Sequence, residues 1–241
     1  MTDDTATLTD AEKLAAYQAK YGPLDQAEPE PGTGTTHVLM IVDMSGSMGD
    51  LAADVRVGFN TYVTDLADQP GTYRLTATLF DQRYMPLCAD AELSAVPKLT
   101  PANYSPAGMT ALLDAVGRTV GDFETRVQLG GTDRVLVVIQ TDGHENASTE
   151  WTWEAIQRLI KDREATGRWS FVYLGAGADT WSQASRMGVD RNSYVNTSAT
   201  SRGTRSTYDG LTRGTVSFAA GASGAEASGI VAATPGAVDP Q

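Results

Sequence analysis

The chain has 241 residues, of which 41% are hydrophobic, enough for one sizeable core and for one domain or at most two. Its formal net charge of −12 argues against a nucleic-acid partner, which calls for basic surface. No apolar run reaches 18 residues, residues 1–10 lack the basic start of a signal peptide, and Cys88 is the single cysteine. The expectation is a cytoplasmic protein with no membrane span, no internal disulfide and no cysteine-based zinc site.

Residues 1–36 read as an acidic arm with seven acidic and two basic residues. Thr9-Asp10-Ala11-Glu12 can cap a short helix carrying Leu14, Ala15 and Tyr17, which stops near Gly22-Pro23. A linker with Pro29, Pro31, Gly32 and Gly34 follows. The domain proper is expected over residues 37–220. Residues 37–42 form an apolar run typical of a strand buried on both faces. Residues 50–68 place Leu51, Val55, Phe59, Tyr62 and Leu66 at helical spacing. A strand follows at 73–80, with a hairpin partner at 81–87. Residues 111–127 read as a helix, 134–140 as the strongest strand, 151–166 as a helix, 170–174 as a strand, 178–187 as a helix and 193–196 as a short last strand. Tyr208, Leu211, Thr215 and Phe218 share one face of a final helix. Alternating strands and helices of this length imply an α/β domain with a mainly parallel sheet. Residues 221–241, rich in Ala, Gly and Ser, are expected to be disordered.

Three segments lie at or near carboxyl ends of these strands, where ligands bind in open parallel sheets. They are Asp43-Met44-Ser45-Gly46-Ser47, Gly108-Met109-Thr110 and Thr141-Asp142-Gly143. Two carboxylates and three hydroxyls brought together make an oxygen-only cage, which suits Mg²⁺ or Mn²⁺ better than zinc or copper. Each segment also has a plainer reading. Asp-x-Ser-x-Ser is ordinary loop material, Thr110 can cap the next helix, and Asp142-Gly143 can be a turn.

Asp43-x-Ser45-x-Ser47, then Thr110, then Asp142, resembles the metal-ion-dependent adhesion site of von Willebrand factor A-type domains, and the resemblance spans about residues 37–197. It implies a doubly wound, mostly parallel sheet with one antiparallel edge strand and helices on both faces. It implies a cation held directly by Ser45 and Ser47, by Thr110 directly in the high-affinity state, and largely through water by Asp43 and Asp142, with a partner's Asp or Glu completing the coordination. The stretches Met109–Asp114, Thr141–Asn146 and 174–179 look like compact, stand-alone A-type domains of bacteria and their phages. The choice among Mg²⁺, Mn²⁺ and Ca²⁺ stays open. Met48, Tyr104, His144 and Glu145 fall in loops around the site and are candidates for touching the partner.

An enzyme is the minority reading. There is no Gly-x-Ser-x-Gly elbow and no P-loop, and neither His37 nor His144 can be tied to a serine. A Mg²⁺-dependent phosphatase built on Asp43 would want a second carboxylate where Ser45 stands and a well-placed lysine. The other alternative is a structural or assembly subunit, of a phage particle or a larger complex, whose metal site is vestigial. As a structural component, the arm could also offer Glu28 or Glu30 to the metal of a neighbouring copy and drive self-association, or fold back and block its own site.

Overall fold

Residues 38–42 are completely buried, and their side chains alternate between two cores: Val38, Met40 and Val42 enter one, Leu39 and Ile41 the other. A strand apolar on both faces must be covered on both, and this requirement organises the fold. The computed structural model describes residues 34–176 and 180–238. Its strands are β1 (Thr35–Asp43), β2 (Thr72–Phe80), β3 (Tyr84–Glu92), β4 (Arg134–Thr141), β5 (Trp169–Ala176) and β6 (Tyr194–Thr197). The helices are α1 (Ala52–Ala67), α2 (Leu112–Arg126), α3 (Trp153–Glu164), α4 (Thr180–Arg186), α5 (Ser201–Ala219) and α6 (Gly224–Ala232).

The sheet runs in the order β3-β2-β1-β4-β5-β6. Every neighbouring pair is parallel except β2 with β3, which makes β3 the antiparallel edge. Phe59 and Tyr62 of α1, Tyr208 and Phe218 of α5 and Val231 of α6 fill the core on one face. Leu112 and Val116 of α2, Ile156 and Ile160 of α3 and Ala184 of α4 fill the other. The chain winds outward from β1 through β2 to β3, then returns to β4 and winds the opposite way. Strand order therefore reverses between β1 and β4, and a crevice opens at their carboxyl ends.

Three boundaries differ from the sequence expectation. The first strand starts at Thr35, two residues before the anticipated domain edge, because Thr35 and Thr36 pair with Thr72 and Tyr73. The hairpin partner is not 81–87: Asp81 turns the chain by accepting from the Arg83 amide at 2.6 Å, and the strand then runs on to Glu92. The third difference is the C-terminal tail, where disorder was expected from composition. Instead, α6 starts with a capping box between Ser223 and Glu226 and buries Ala227 and Val231. Small residues read as low complexity are here the packing face of a helix lying against α5, and Val238 then bridges to Thr197. The expected arm helix and linker lie outside the described residues, as do 239–241. No helix among the described residues is long and apolar enough to cross a membrane.

Candidate metal centre

Asp43 ends β1, and Asp142 directly follows β4, so the reversal of strand order puts the two carboxylates on either side of one crevice. Thr110 arrives from the crossover between β3 and α2. Three loops thus meet, and backbone hydrogen bonds stitch them together. The Gly46 amide donates to the Gly108 carbonyl at 3.1 Å, and the Ala107 amide donates to the Met44 carbonyl at 2.9 Å. The Asn146 amide donates to the Thr110 carbonyl at 3.0 Å, and the Thr110 amide donates back to Asn146 Oδ1 at 2.9 Å.

Gly143 locates the convergence. A Cβ built on it would lie 2.6 Å from Thr110 Oγ1, 3.0 Å from Asp43 Oδ2 and 3.1 Å from Ser45 Oγ. Oxygens from two of the loops therefore surround one small space against Gly143 of the third, which only a glycine leaves open. Ser45 Oγ lies 3.2 Å from Ser47 Oγ, and the Ser47 hydroxyl donates to Asp142 Oδ1 at 2.5 Å. All five expected residues come together. Asp43, Ser45 and Thr110 are buried, whereas Ser47 is exposed, so the cluster opens to solvent at the Ser47 end.

Among the described residues no cationic side chain pairs with either carboxylate of the cluster. Burial pushes the Asp43 carboxyl up to about 6, although bonds from Thr141 and Ser45 act to lower it, and the charge of Asp142 adds to the rise. Burial also raises Asp142, against the bond from Ser47. The Tyr173 hydroxyl is buried without a partner among the described residues, and both aspartates act on it electrostatically. Two desolvated carboxylates and three hydroxyls without a basic group suit a hard cation. Among the described residues no three His, Cys, Asp or Glu side chains cluster as metal ligands, which leaves the hydroxyl-rich donor set as the candidate.

The rim is different from what the sequence suggested. Met48 is 2% exposed and belongs to the core, because the short 3-10 helix Gly46–Leu51 turns it inward. Tyr104 is fully buried, and its hydroxyl donates to the Asp43 carbonyl at 2.7 Å, so it braces the first loop. Glu145 is half-buried and anchors its own loop: its carboxylate accepts from the amides of Leu113, Ala147 and Ser148 and from the Ser148 hydroxyl. Of the four candidates, only His144 is exposed. The sequence reading also missed three supports. The Thr141 hydroxyl donates to Asp43 Oδ2, Gln183 holds the Gly143 carbonyl at 2.8 Å, and Asp114 ties down residues 149–151. Thr141 and Asp114 lie inside stretches that stand out in the sequence, whereas Gln183 carries no signal there.

The fold is that of von Willebrand factor A-type domains. Proximal thread matrix protein 1 (PTMP1) of the mussel byssus is 16% identical with a TM-score of 0.59, over 79% of this chain and 47% of that one. A second PTMP1 structure, described as having a zinc-occupied MIDAS motif, aligns with a TM-score of 0.57. The pilus adhesin SpaC of Lactobacillus rhamnosus GG is 13% identical, TM-score 0.57, over 82% of this chain and 31% of that one. The vWF domain of the pilus tip protein Mfa5 of Porphyromonas gingivalis is 11% identical, TM-score 0.56, over 79% of this chain and 97% of that one. This chain thus spans about half the length of PTMP1 and a third of SpaC. No family model and no curated protein sequence matches it.

Proposed function

We propose that this domain binds another protein through a divalent cation held by Asp43, Ser45, Ser47, Thr110 and Asp142, with an Asp or Glu of the partner completing the coordination. The observation that carries the reading is the convergence of Thr110 Oγ1, Asp43 Oδ2 and Ser45 Oγ within 3.1 Å of one point beside Gly143. The cation supplies a positive, electrophilic centre in a chain whose net charge is otherwise −12. This chain's part is to fix the donors: Thr141 and the Ser45 amide hold Asp43, Ser47 holds Asp142, and Tyr104 braces the loop. The zinc of PTMP1 and the adhesive role of SpaC support the class of function, and the oxygen donors favour Mg²⁺ or Mn²⁺.

Calorimetric titration of the full chain with Mg²⁺, Mn²⁺, Ca²⁺ and Zn²⁺ tests the site. One cation per chain is expected to bind, and Ser45→Ala is expected to remove that binding while the circular-dichroism spectrum stays unchanged. Capture of a partner in Mn²⁺ should reverse in EDTA. A partner retained in EDTA would favour a structural subunit instead, and Mg²⁺-dependent hydrolysis of p-nitrophenyl phosphate lost in Asp43→Ala would establish the phosphatase.

Gly143→Ala gives a sharper test. A methyl group there would occupy the space between the three oxygens, 2.6 Å from Thr110 Oγ1. Mn²⁺ affinity is expected to fall by roughly 10–100-fold, the scale of damage to a metal site's support. The accompanying overpacking should cost about 1–3 kcal/mol of stability. Unchanged Mn²⁺ affinity would mean that the cation sits elsewhere.

A further inference from the structure

Met109 is 54% exposed, one of two large apolar side chains so described, the other being Val57 on α1. A single exposed apolar residue is ordinary on a protein surface. What distinguishes Met109 is the combination of a fixed backbone and its position. Its amide donates to Gln82 Oε1 at 2.8 Å. The preceding Gly108 takes φ +80°, and a Cβ there would strike the same Gln82 oxygen. The following Thr110 is bonded to Asn146 through both its amide and its carbonyl. The loop is thus tied on both sides of Met109, while the side chain stays in solvent one residue from a candidate metal donor.

Charge sets the direction in which a ligand can lie. On the Ser47 side the exposed Asp50 repels a second acidic group. On the Met109 side the exposed neighbours are Gln82, Ala107 and Gly108, with His144 on the adjoining loop, and none of these is acidic. Arg83 is already paired with Asp81. A chain that places its carboxylate on the cation and runs on past Met109 meets an apolar side chain there, with no exposed acidic group among these neighbours.

We infer that Met109 is a specificity residue: it receives an apolar side chain adjacent to the partner's acidic residue, so that the recognised feature is a Glu or Asp next to Leu, Ile or Phe. The inference rests on the proposed function and deepens it. A flexible thioether adapts to differently shaped apolar groups, and a fixed backbone limits the ordering cost of binding.

The test uses the full chain, Mn²⁺ and synthetic peptides that are identical except for the residue flanking a single Glu, which is Leu, Phe or Ser. Calorimetry first establishes Mn²⁺ binding in wild type, Met109→Ser and Met109→Leu, with equal affinity expected in all three. Leu and Phe peptides are expected to bind wild type and Met109→Leu about tenfold more tightly than the Ser peptide, the scale set by burying part of two apolar side chains. In Met109→Ser the preference should shrink to less than about twofold. If Mn²⁺ and the Glu peptides bind but Leu, Phe and Ser peptides are equivalent, or if the preference survives in Met109→Ser, the assignment to Met109 is overturned while the metal site stands. If Mn²⁺ does not bind, the proposed function fails and this inference with it.

Discussion

Asp43→Asn is expected to stabilise the protein in EDTA and to abolish its response to divalent cations. Asp43 is fully buried, and burial is the main cause that holds its carboxyl near 6 rather than at the ordinary 3.8. The sign follows from linkage. Below about pH 4 both folded and unfolded chains carry the proton, and the residue is neutral to stability. Between about pH 4 and 6 the unfolded chain releases the proton first, so stability falls as pH rises, and above about pH 6 the full cost is present. That cost is about 3 kcal/mol. Asparagine escapes it, can still accept from the Ser45 amide, and offers its amide to Thr141.

Urea denaturation in EDTA should therefore give wild type and Asp43→Asn similar stability near pH 4 and separate them progressively to pH 7.5, with the variant ahead. Adding Mn²⁺ to 100 times its dissociation constant should raise wild type by about 2.7 kcal/mol and leave the variant unmoved. A variant less stable than wild type at pH 7.5 in EDTA would identify Asp43 as a plain structural hydrogen-bond acceptor, and the cation reading would lose its energetic basis.

The sequence made the candidate donors legible because their chemistry and their place in the fold coincide. Strands buried on both faces write themselves as apolar runs, as at Val38–Val42, and the residue that ends such a run at a switch point lies in the crevice. Asp43 and Asp142 are such residues. The surroundings were not legible, since partner choice there depends on tertiary direction. Met48 follows two serines in a loop and looks exposed, yet a single 3-10 turn drives it into the core. Glu145 looks like a free charge beside the site, but its carboxylate meets the amino end of α2. The tail was misread because Ala and Gly carry little periodic signal, and only the Ser223–Glu226 box marked a helix start.

Asp114→Ala should cause the largest loss of stability of any single substitution near the site. The N-cap of α2, Ala111, provides no side-chain acceptor. The loop following β4 caps the helix instead: Glu145 takes the Leu113 amide at 3.0 Å, and the Ser148 hydroxyl takes the Asp114 amide at 3.1 Å. Asp114 returns the bond, with Oδ1 accepting from the Glu150 and Trp151 amides at 2.9 and 2.8 Å, and Oδ2 from Thr149 at 2.9 Å. A carboxylate in the first turn of a helix is further favoured by the helix dipole. Removing a charged acceptor from three backbone donors at a 7%-exposed position is expected to cost about 4 kcal/mol.

The same knot flanks Thr110 on one side and Asp142 on the other. Loosening it should therefore weaken Mn²⁺ binding by roughly 10–100-fold, although Asp114 is not one of the proposed ligands. Asp114→Asn retains one oxygen, enough for the Glu150 and Trp151 amides, and should lose about half as much stability. Urea midpoints and Mn²⁺ titrations on the two variants would check both parts. If Asp114→Ala costs less than about 1 kcal/mol, or if both variants bind Mn²⁺ like wild type, the loop after β4 does not depend on Asp114 for its position, and the preorganisation of the site must come from its other supports, among them Thr141, Tyr104 and Gln183.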